Sequence, residues 1–330
     1  MTRYLFSADC RAPFMQSTRK RGSGFGYLYI ILFFRFLRRA PYSKWHVGRK
    51  RKNKMPTILD GKKLSAEVLK GLAEKVTKMN RELRLGIVLV GNDPASIAYI
   101  EQKKKTGEKI GVTVDIFKYE PTISTTKLRS EVGRLCRLPH MGGVIVQLPL
   151  PESINTQSIL NAVLPWRDVD VLSAAMSGKL YAGTSPVLPP TAAAIMKLIE
   201  SGNIEVAGKT VAIVGTGKLV GKPTGFAMGT RGATVLMINS STKNPADLIR
   251  QADIVVAGVG KPNFITADMV KEGAVIIDAG YEQVNGKLVG DVEPAAFEKS
   301  SAYTPVPGGV GPMTVAMLFS NLVTLSEKGN

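Results

Sequence analysis

The apolar positions that begin at residue 64 recur with the spacing of an amphipathic helix. They are Leu64, Val68, Leu69, Leu72, Val76 and Met79. Positions three or four apart lie on one face of a helix, so this spacing predicts a helix with one buried side. A mostly apolar run at 83–91 follows and ends in glycine, which is typical of a buried strand. The body of the chain therefore opens with a helix followed by a strand.

The alternation of helix and strand continues to residue 151. We predict a helix at 93–111, because Asp93 and Pro94 form a typical helix start, and a strand at 112–119. A second helix start, at Ser124 or Thr125, predicts a helix at 124–138, and an apolar run at 142–151 predicts a third buried strand. Strands that alternate with helices indicate a parallel sheet of the α/β class.

A second α/β unit is predicted from Pro189 onward. Residues 189–201 have the pattern of a linking helix, and "GKTVAIVGTGKLVGKPTGFAM" reads as a strand, a glycine-rich turn and a helix. Three further strands are predicted in "GATVLMINSS", "ADIVVAGVG" and "GAVIIDAG". The fold class that follows is two α/β domains, the second of them a Rossmann-type dinucleotide-binding domain.

The charge of the chain is concentrated at its beginning. The formal net charge is +18, but residues 1–54 hold 14 of the 44 Lys and Arg residues and only one of the 26 acidic residues. The rest of the chain carries only +5, which removes the main reason to expect a nucleic-acid-binding protein.

Residues 1–54 admit three interpretations. They are Arg-rich and poor in acids, as organellar targeting segments are. A basic tail that binds a membrane or nucleic acid is the second interpretation. The third is a basic extension that is disordered or not native, since a well-patterned fold starts at Met55. Their apolar run, Tyr27–Phe34, is shorter than the roughly 20 residues of a membrane span. We predict no membrane partner and a cytoplasmic protein, or an organellar one if these residues are a targeting segment.

The residues that most often hold metals and disulfides are sparse. The chain has two cysteines, Cys10 and Cys136, and two histidines, His46 and His140. No cluster has the spacing of metal ligands, so we predict no metal site, and two distant cysteines favour a reducing compartment.

A glycine-rich turn in the second unit predicts a nucleotide site. Gly215, Gly217 and Gly221 stand between a strand and a helix in a G-x-G-x-x-x-G spacing, one residue longer than the usual dinucleotide fingerprint. Glycines let the backbone approach a pyrophosphate, and the helix start donates N–H groups to it. A plain strand-to-helix turn remains the alternative.

The next strand bears on the choice of cofactor. It ends in Asn239, Ser240, Ser241, Thr242 and Lys243, with no carboxylate to bind an NAD ribose. A 2′-phosphate would meet no repulsion there and could pair with Lys218 or Lys243. NADP is therefore favoured, with NAD possible.

Six segments together resemble one enzyme family over essentially all of 55–330: the bifunctional methylenetetrahydrofolate dehydrogenase/methenyltetrahydrofolate cyclohydrolase, or FolD, family. The segments are "VGNDPASIAYIEQKKK", "GGVIVQLPLP", "RDVDVL", "VAIVGTGKLVGKP", "GDV" at 290–292 and "TPVPGGVGPMTVAML". The resemblance implies a folate-binding catalytic domain at 55–188 plus 311–330 and an NAD(P)-binding domain at 189–310. It also implies a cleft between the two domains, a last helix at about 311–326 that returns to the first domain, and a homodimer.

The resemblance also implies a set of catalytic residues. Tyr99 and Lys103 are four apart on a predicted helix and share a face. In the family the lysine is the acid/base group, Gln147 holds it, and Asp170 grips the pterin ring. A lysine acts as a base only when neutral, so desolvation and a cationic substrate would have to lower its pKa. Asp168 is expected to be a turn or cap residue.

The remaining site residues divide between substrate and cofactor. For the tetrahydrofolate substrate the resemblance implies Ser96, Tyr99 and Asp170, together with Pro307, Gly308 and Gly309 of the proline- and glycine-rich loop. For NADP the predicted residues are Gly215, Thr216, Gly217, Lys218, Gly221, Ser240 and Ser241. The rigid loop would hold cofactor and folate edge to edge.

The chain departs from the family pattern mainly on the cofactor side. Val171 stands where glycine is common, and "LPPTAAA" replaces a proline-cysteine-threonine-proline run. "GTGK" replaces an arginine-serine pair, and "NSST" replaces a histidine-serine-basic-threonine run. A cyclohydrolase with weak or lost dehydrogenase activity is therefore the alternative to the bifunctional enzyme.

Overall fold

A computed structural model describes residues 55–284 and 286–328. Within them the chain forms two parallel sheets and a small hairpin, so the predicted α/β class is confirmed. The predictions for residues 1–54 lie outside the described residues. In the described part of the chain, no helix has both the length and the apolar character to cross a membrane.

The first sheet has three parallel strands in the order β3-β2-β4. Its strands are β2 (Leu83–Val90), β3 (Val112–Tyr119) and β4 (Met141–Val146). Three helices surround it: α1 (Gly61–Lys78), α2 (Pro94–Lys109) and α3 (Thr125–Leu135). All six were predicted. The largest error is in the end of β4, which we predicted at residue 151 and which lies at Val146, because the next residues line the cavity described below.

Side-chain caps fix where these helices begin. The Asp60 carboxylate accepts a hydrogen bond from the Lys63 amide at 2.9 Å, so α1 starts three residues before the predicted Leu64. Asp93 accepts from the Ser96 amide at 2.8 Å, with Pro94 in the first helical position. Ser124 caps α3 in the same way. Each cap satisfies an amide that the helix itself leaves without a partner.

Shorter helices complete the first part of the chain and lead into the second. They are α4 (Thr156–Leu160), α5 (Ala174–Tyr181) and α6 (Pro190–Ser201), with a 3-10 turn at Pro165–Arg167. Helix α6 is buried along most of its length, as expected for an element packed between two sheets.

The second sheet has six parallel strands in the order β1-β11-β8-β7-β5-β6. Its strands are β1 (Thr57–Ile58), β5 (Thr210–Val214), β6 (Thr234–Ile238), β7 (Ile254–Ala257), β8 (Val275–Asp278) and β11 (Ala302–Tyr303). The sequence did not predict β1, which pairs with β11 and so places residues 57 and 58 in this sheet. The predicted domain boundaries remain a prediction.

The remaining elements lie around this second sheet. They are α7 (Gly221–Gly229), α8 (Pro245–Arg250), α9 (Pro294–Glu298), a 3-10 turn at Ala267–Met269, and the antiparallel hairpin of β9 (Glu282–Val284) and β10 (Lys287–Val289). Strand β6 forms one edge of the sheet, and its Met237 is 40% exposed.

The last helix, α10 (Val310–Lys328), crosses from the second sheet to the first. It packs against α1, α6 and β4, and its Phe319 is fully buried in the core of the first unit. The buried amide of Asn321 donates hydrogen bonds to the carbonyls of Val169 at 2.8 Å and Leu188 at 2.7 Å. These contacts fasten the second half of α10 to the segments at Val169 and Leu188.

Candidate active site

A cavity of about 480 Å³ lies between the carboxyl ends of the two sheets. Tyr99 of helix α2 and Gln147, the residue after β4, line it on one side. Asp278 at the end of β8 and Tyr281 beyond it line the other side. The proline- and glycine-rich loop at 305–309 and the first residues of α10 form a further wall. Ligands of parallel α/β proteins bind at this edge of the sheet, and a volume of this size suits a small molecule.

Lys103 is a buried lysine beside this cavity. Its side chain is only 6% exposed, and its Nζ donates a hydrogen bond to Gln147 Oε1 at 3.1 Å. Tyr99 lies one helical turn earlier on α2, so the lysine Nζ rests 4.5 Å from the centre of the tyrosine ring. The structure thus brings Tyr99, Lys103 and Gln147 together, as their proposed roles require.

Burial shifts the pKa values of Lys103 and Tyr99. Desolvation lowers the pKa of Lys103, and the negative charge of Asp170 partly opposes this change. Burial raises the pKa of Tyr99, with smaller contributions from Asp170 and Tyr281. The lysine is therefore closer to its neutral form than an exposed lysine, while the tyrosine hydroxyl stays protonated.

Gln147 is oriented by the end of strand β4. Its amide N–H donates to the Val88 carbonyl at 2.9 Å, which continues the sheet by one residue. Its side-chain Nε2 donates to the Leu148 carbonyl at 3.0 Å. With the NH₂ group so engaged, the side-chain oxygen faces Lys103 and can accept from it.

Asp170 is a partly buried carboxyl close enough to Lys103 to affect its pKa. Desolvation raises the pKa of Asp170 to about 6, although the charge of Lys103 lowers it and Asp168 raises it further. Asp168 has the expected capping role: its carboxylate accepts from the amides of Leu172 at 3.3 Å and Ser173 at 2.8 Å.

The residue after Asp170 adopts an unusual backbone conformation. Val171 has φ of +60° and is buried, and such a left-handed conformation costs a residue with a Cβ on the order of 1–3 kcal/mol. The Val171 amide donates to the Asp168 carbonyl at 3.3 Å, and its carbonyl accepts from Ser177 Oγ at 3.4 Å. The left-handed conformation at Val171 is one that a glycine would adopt without this cost.

The remaining predicted substrate residues also line the cavity. Ser96 is buried at the start of α2. Pro307, Gly308 and Gly309 lie in the loop wall, where Gly308 has φ of +109° and its carbonyl accepts from the Lys62 amide at 2.9 Å. A Cβ on Gly61 would overlap the Gly309 carbonyl oxygen, so α1 starts in direct contact with this loop.

The glycine-rich turn of the second unit has the close packing that a pyrophosphate site needs. Gly215 has φ of +102°, and a Cβ there would meet the Gly258 carbonyl, while a Cβ on Gly221 would overlap the Gly215 carbonyl. Gly217 has open space around it instead. Helix α7 starts at Gly221 with no side-chain cap, and the Lys222 amide donates to the Gly217 carbonyl at 3.0 Å, which closes the turn.

The other predicted cofactor residues are more exposed. Thr216 is half-buried in the turn, whereas Ser240 and Ser241 lie exposed after β6. The Ser241 amide donates to Asn239 Oδ1 at 2.9 Å, so this asparagine braces its own turn. Lys218 Nζ donates to Gln157 Oε1 of helix α4 at 2.9 Å, an exposed contact that the sequence did not predict.

The sequence interpretation missed several residues of the cavity wall. Asp278 ends strand β8 and Tyr281 follows it. Gln102 lies on α2, and Thr314 lies on α10. Asp278 could have been found, because it stands at the carboxyl end of a predicted strand of the second sheet, where ligands bind. Among residues 55–284 and 286–328, no group of three His, Cys, Asp or Glu side chains could hold a metal ion.

These features define an α/β dehydrogenase-like protein with a Rossmann-type domain and a buried lysine beside the cavity. The comparisons with known proteins are more specific. Residues 59–170 match the family described as tetrahydrofolate dehydrogenase/cyclohydrolase, catalytic domain, and residues 189–330 match the NAD(P)-binding domain of the same family. The chain therefore belongs to the tetrahydrofolate dehydrogenase/cyclohydrolase family, as the resemblance predicted.

Individual relatives agree with this assignment. The chain is 41% identical over 275 residues to the bifunctional protein FolD of Halalkalibacterium halodurans, covering 82% of this chain and 99% of the relative. The solved FolD of Campylobacter jejuni has a TM-score of 0.81 at 36% identity and covers 83% of this chain and 99% of its own. The Trypanosoma brucei FolD, solved with NADP and an inhibitor, has a TM-score of 0.80 at 31% identity and covers 84% and 99%.

Proposed function

We propose that the protein oxidises methylenetetrahydrofolate to methenyltetrahydrofolate with NADP and then hydrolyses the product to formyltetrahydrofolate. Both reactions belong to folate-dependent one-carbon metabolism. The observation that carries the proposal is the buried Lys103, hydrogen-bonded to Gln147, beside a cavity whose other wall is formed by the dinucleotide-binding unit. The family assignment and the relative solved with NADP support the same reaction.

In the oxidation, the one-carbon bridge of the folate loses a hydride and becomes a cation. NADP supplies the hydride acceptor when bound. The residues that we propose to hold it are Gly215, Thr216, Gly217 and Gly221, through their backbone, with Lys218, Ser240 and Ser241 around the adenosine phosphate. The loop at 305–309 keeps the reacting partners at short distance and excludes water from the hydride path.

In the hydrolysis, a water molecule must lose a proton as it attacks the cationic carbon. A neutral Lys103 accepts this proton, and its lowered pKa makes the neutral amine accessible. The new C–O bond forms, and one C–N bond of the bridge then breaks as the lysine returns its proton to the departing nitrogen. The hydroxyl group of the adduct loses its proton to solvent as the formyl C=O bond forms. A cationic substrate nearby would lower the pKa of Lys103 further.

The other predicted residues position these groups. Gln147 accepts from Lys103 and keeps its nitrogen in the cleft, and the Tyr99 ring closes one side of the lysine. Asp170 accepts hydrogen bonds from pterin N–H groups when ionised. Ser96, Pro307, Gly308 and Gly309 shape the substrate part of the cavity.

A spectrophotometric assay of the purified full-length protein tests the proposal. We expect NADP-dependent oxidation of methylenetetrahydrofolate and hydrolysis of the methenyl compound, with loss of hydrolysis in Lys103→Ala. Titration calorimetry with NADP and with NAD separates the bifunctional enzyme from a cyclohydrolase that has lost dehydrogenase activity. Full hydrolysis by Lys103→Ala would reject the role of the lysine.

We also propose that the protein forms a homodimer through its second unit. Strand β6 ends the six-stranded sheet with an exposed edge, where Met237 offers apolar surface. Sedimentation velocity would test this, and a monomer at all concentrations would contradict it. The expected compartment depends on residues 1–54, which lie outside the described residues, and it stays a prediction.

A further inference from the structure

A buried carboxylate, Asp278, joins separate segments of the cavity wall. It ends strand β8 and is only 1% exposed. Its Oδ1 accepts hydrogen bonds from the amides of Gly280 at 2.9 Å and Asp291 at 3.1 Å, and its Oδ2 accepts from the amide of Val292 at 3.1 Å. One side chain therefore holds the segment after β8 against the segment after β10.

Thr304 extends this junction to the proline- and glycine-rich loop. The Asp278 amide donates to Thr304 Oγ1 at 2.8 Å, and the same hydroxyl donates to the Asp278 carbonyl at 3.3 Å. Thr304 is fully buried and directly precedes the loop at 305–309. The loop that forms the wall facing the first unit thus starts from a point fixed to Asp278.

Asp291 binds a further segment of the chain, at 259–261, in the same way. Its carboxylate accepts from the amides of Val259 at 2.6 Å, Gly260 at 3.2 Å and Lys261 at 2.7 Å, which follow strand β7. Since the Asp291 amide itself donates to Asp278, the two carboxylates connect the segments after β7, β8 and β10, and the backbone of Asp278 adds the segment after β11 through Thr304. These loops lie at the carboxyl end of the second sheet, on the cofactor side of the cavity.

The packing around the junction leaves no room for rearrangement. A Cβ on Gly290 would overlap Asp278 Oδ2, and a Cβ on Gly280 would lie 2.5 Å from the Asp291 carboxyl carbon. Both glycines are thus required by close approach to a carboxylate. Such packing is expected where loops must keep one geometry.

We propose that Asp278 is a positioning residue for the NADP-dependent oxidation: it holds the loops on the cofactor side of the cavity in the arrangement that receives NADP. The inference rests on the proposed function. Asp278 is not proposed to take part in the hydrolysis, because Lys103, Gln147 and Tyr99 are held by α2 and β4 of the first sheet.

The chemistry of the junction predicts the effect of one substitution. All three hydrogen bonds to the Asp278 side chain come from backbone N–H donors, which an ionised carboxylate accepts at both oxygens. Asp278→Asn keeps the shape but turns one of the two acceptor positions into a donor. At least one amide then loses its partner and faces another N–H group.

The test compares Asp278→Asn with the wild type and with Asp253→Asn as a matched control. Asp253 also accepts a backbone amide hydrogen bond, from Thr210 at 3.0 Å, but it pairs with Lys271 and does not line the cavity. Three quantities are measured near neutral pH: the Kd of NADP by titration calorimetry, kcat and KM of the oxidation, and the rate of methenyl hydrolysis.

For Asp278→Asn we expect the Kd of NADP to rise about tenfold or more and oxidation to fall at least as much, with hydrolysis within about threefold of wild type. Asp253→Asn should leave all three within about threefold. An unchanged Kd of NADP, or equal losses of oxidation and hydrolysis, would overturn the proposal.

Two further results are interpretable. If Asp278→Asn does not fold, Thr304→Val, which cuts only the Thr304 contacts, should weaken NADP binding in the same direction, and unchanged binding in this variant would overturn the inference. If the wild type binds NADP but turns over no folate, the proposed function fails while the binding measurement still decides the role of Asp278.

Discussion

Replacing Gln147 by glutamate changes the charge beside Lys103 with almost no change in shape. The amide oxygen that accepts from Lys103 Nζ at 3.1 Å becomes a carboxylate oxygen at the same position. Two unit charges at that distance attract by about 5 kcal/mol at an effective dielectric constant of about 20. Because one pKa unit corresponds to about 1.4 kcal/mol, the upper bound on the rise in the lysine pKa is about four units.

The expected rise is smaller than this bound, because Gln147 is only partly buried and water screens the pair. We expect the pKa of Lys103 to rise by about two units, which reduces the neutral fraction of the amine about a hundredfold near neutral pH. A reaction that needs the neutral lysine must slow accordingly and recover at higher pH.

The assay is the pH profile of methenyl hydrolysis by wild type, Gln147→Glu and Gln147→Met. The acid limb of the profile should move to higher pH in Gln147→Glu, since this limb reports protonation of the base. Gln147→Met removes the hydrogen bond without adding charge. It should therefore lower the rate without moving the acid limb to higher pH. If the limb keeps its position in Gln147→Glu while the rate falls, Lys103 is not the base.

Three further predictions test other contacts. Gly61→Ala should lower the free energy of unfolding by about 1–3 kcal/mol in urea denaturation, because its Cβ would overlap the Gly309 carbonyl. Gly71→Ala, on the same helix with open space around it, should raise the free energy of unfolding by up to about 1 kcal/mol. Equal effects of the two substitutions would contradict the argument. Gly221→Ala should weaken NADP binding in calorimetry by about tenfold or more and spare hydrolysis, because its Cβ would push apart the turn that we propose holds the pyrophosphate; unchanged affinity would reject that site. Since burial raises the pKa of Asp170 to about 6, the carboxylate loses its charge as pH falls through that value, so KM for the folate should rise below it in wild type and not in Asp170→Asn.

The sequence predicted the elements that have a periodic pattern. Helix α1 is long enough for the spacing of its apolar residues to be read, α2 has a typical start at Asp93 and Pro94, and β2 is a mostly apolar run ended by glycine. Strands β1 and β11 have only two residues each, too few to show any period, and they exist because neighbouring strands offer them hydrogen bonds. Pairing of this kind depends on tertiary structure, which local sequence does not reveal.

The candidate site divides in the same way. Tyr99 and Lys103 could be placed together because they are four residues apart on a helix, and the family resemblance added Gln147 and Asp170. The contacts of Asp278 with Thr304 span 26 residues, and that of Lys218 with Gln157 spans 61. Such contacts arise from loop geometry, so no pattern in the sequence indicates them.

The position of the last helix has a consequence for synthesis on the ribosome. The loop at 305–309 leads directly into α10, which packs against α1, α6 and β4. Those partners are made long before α10, so a nascent chain can form both sheets while its reaction chamber still lacks one wall. We therefore expect the chamber to be complete once the nineteen-residue α10 has docked on these partners.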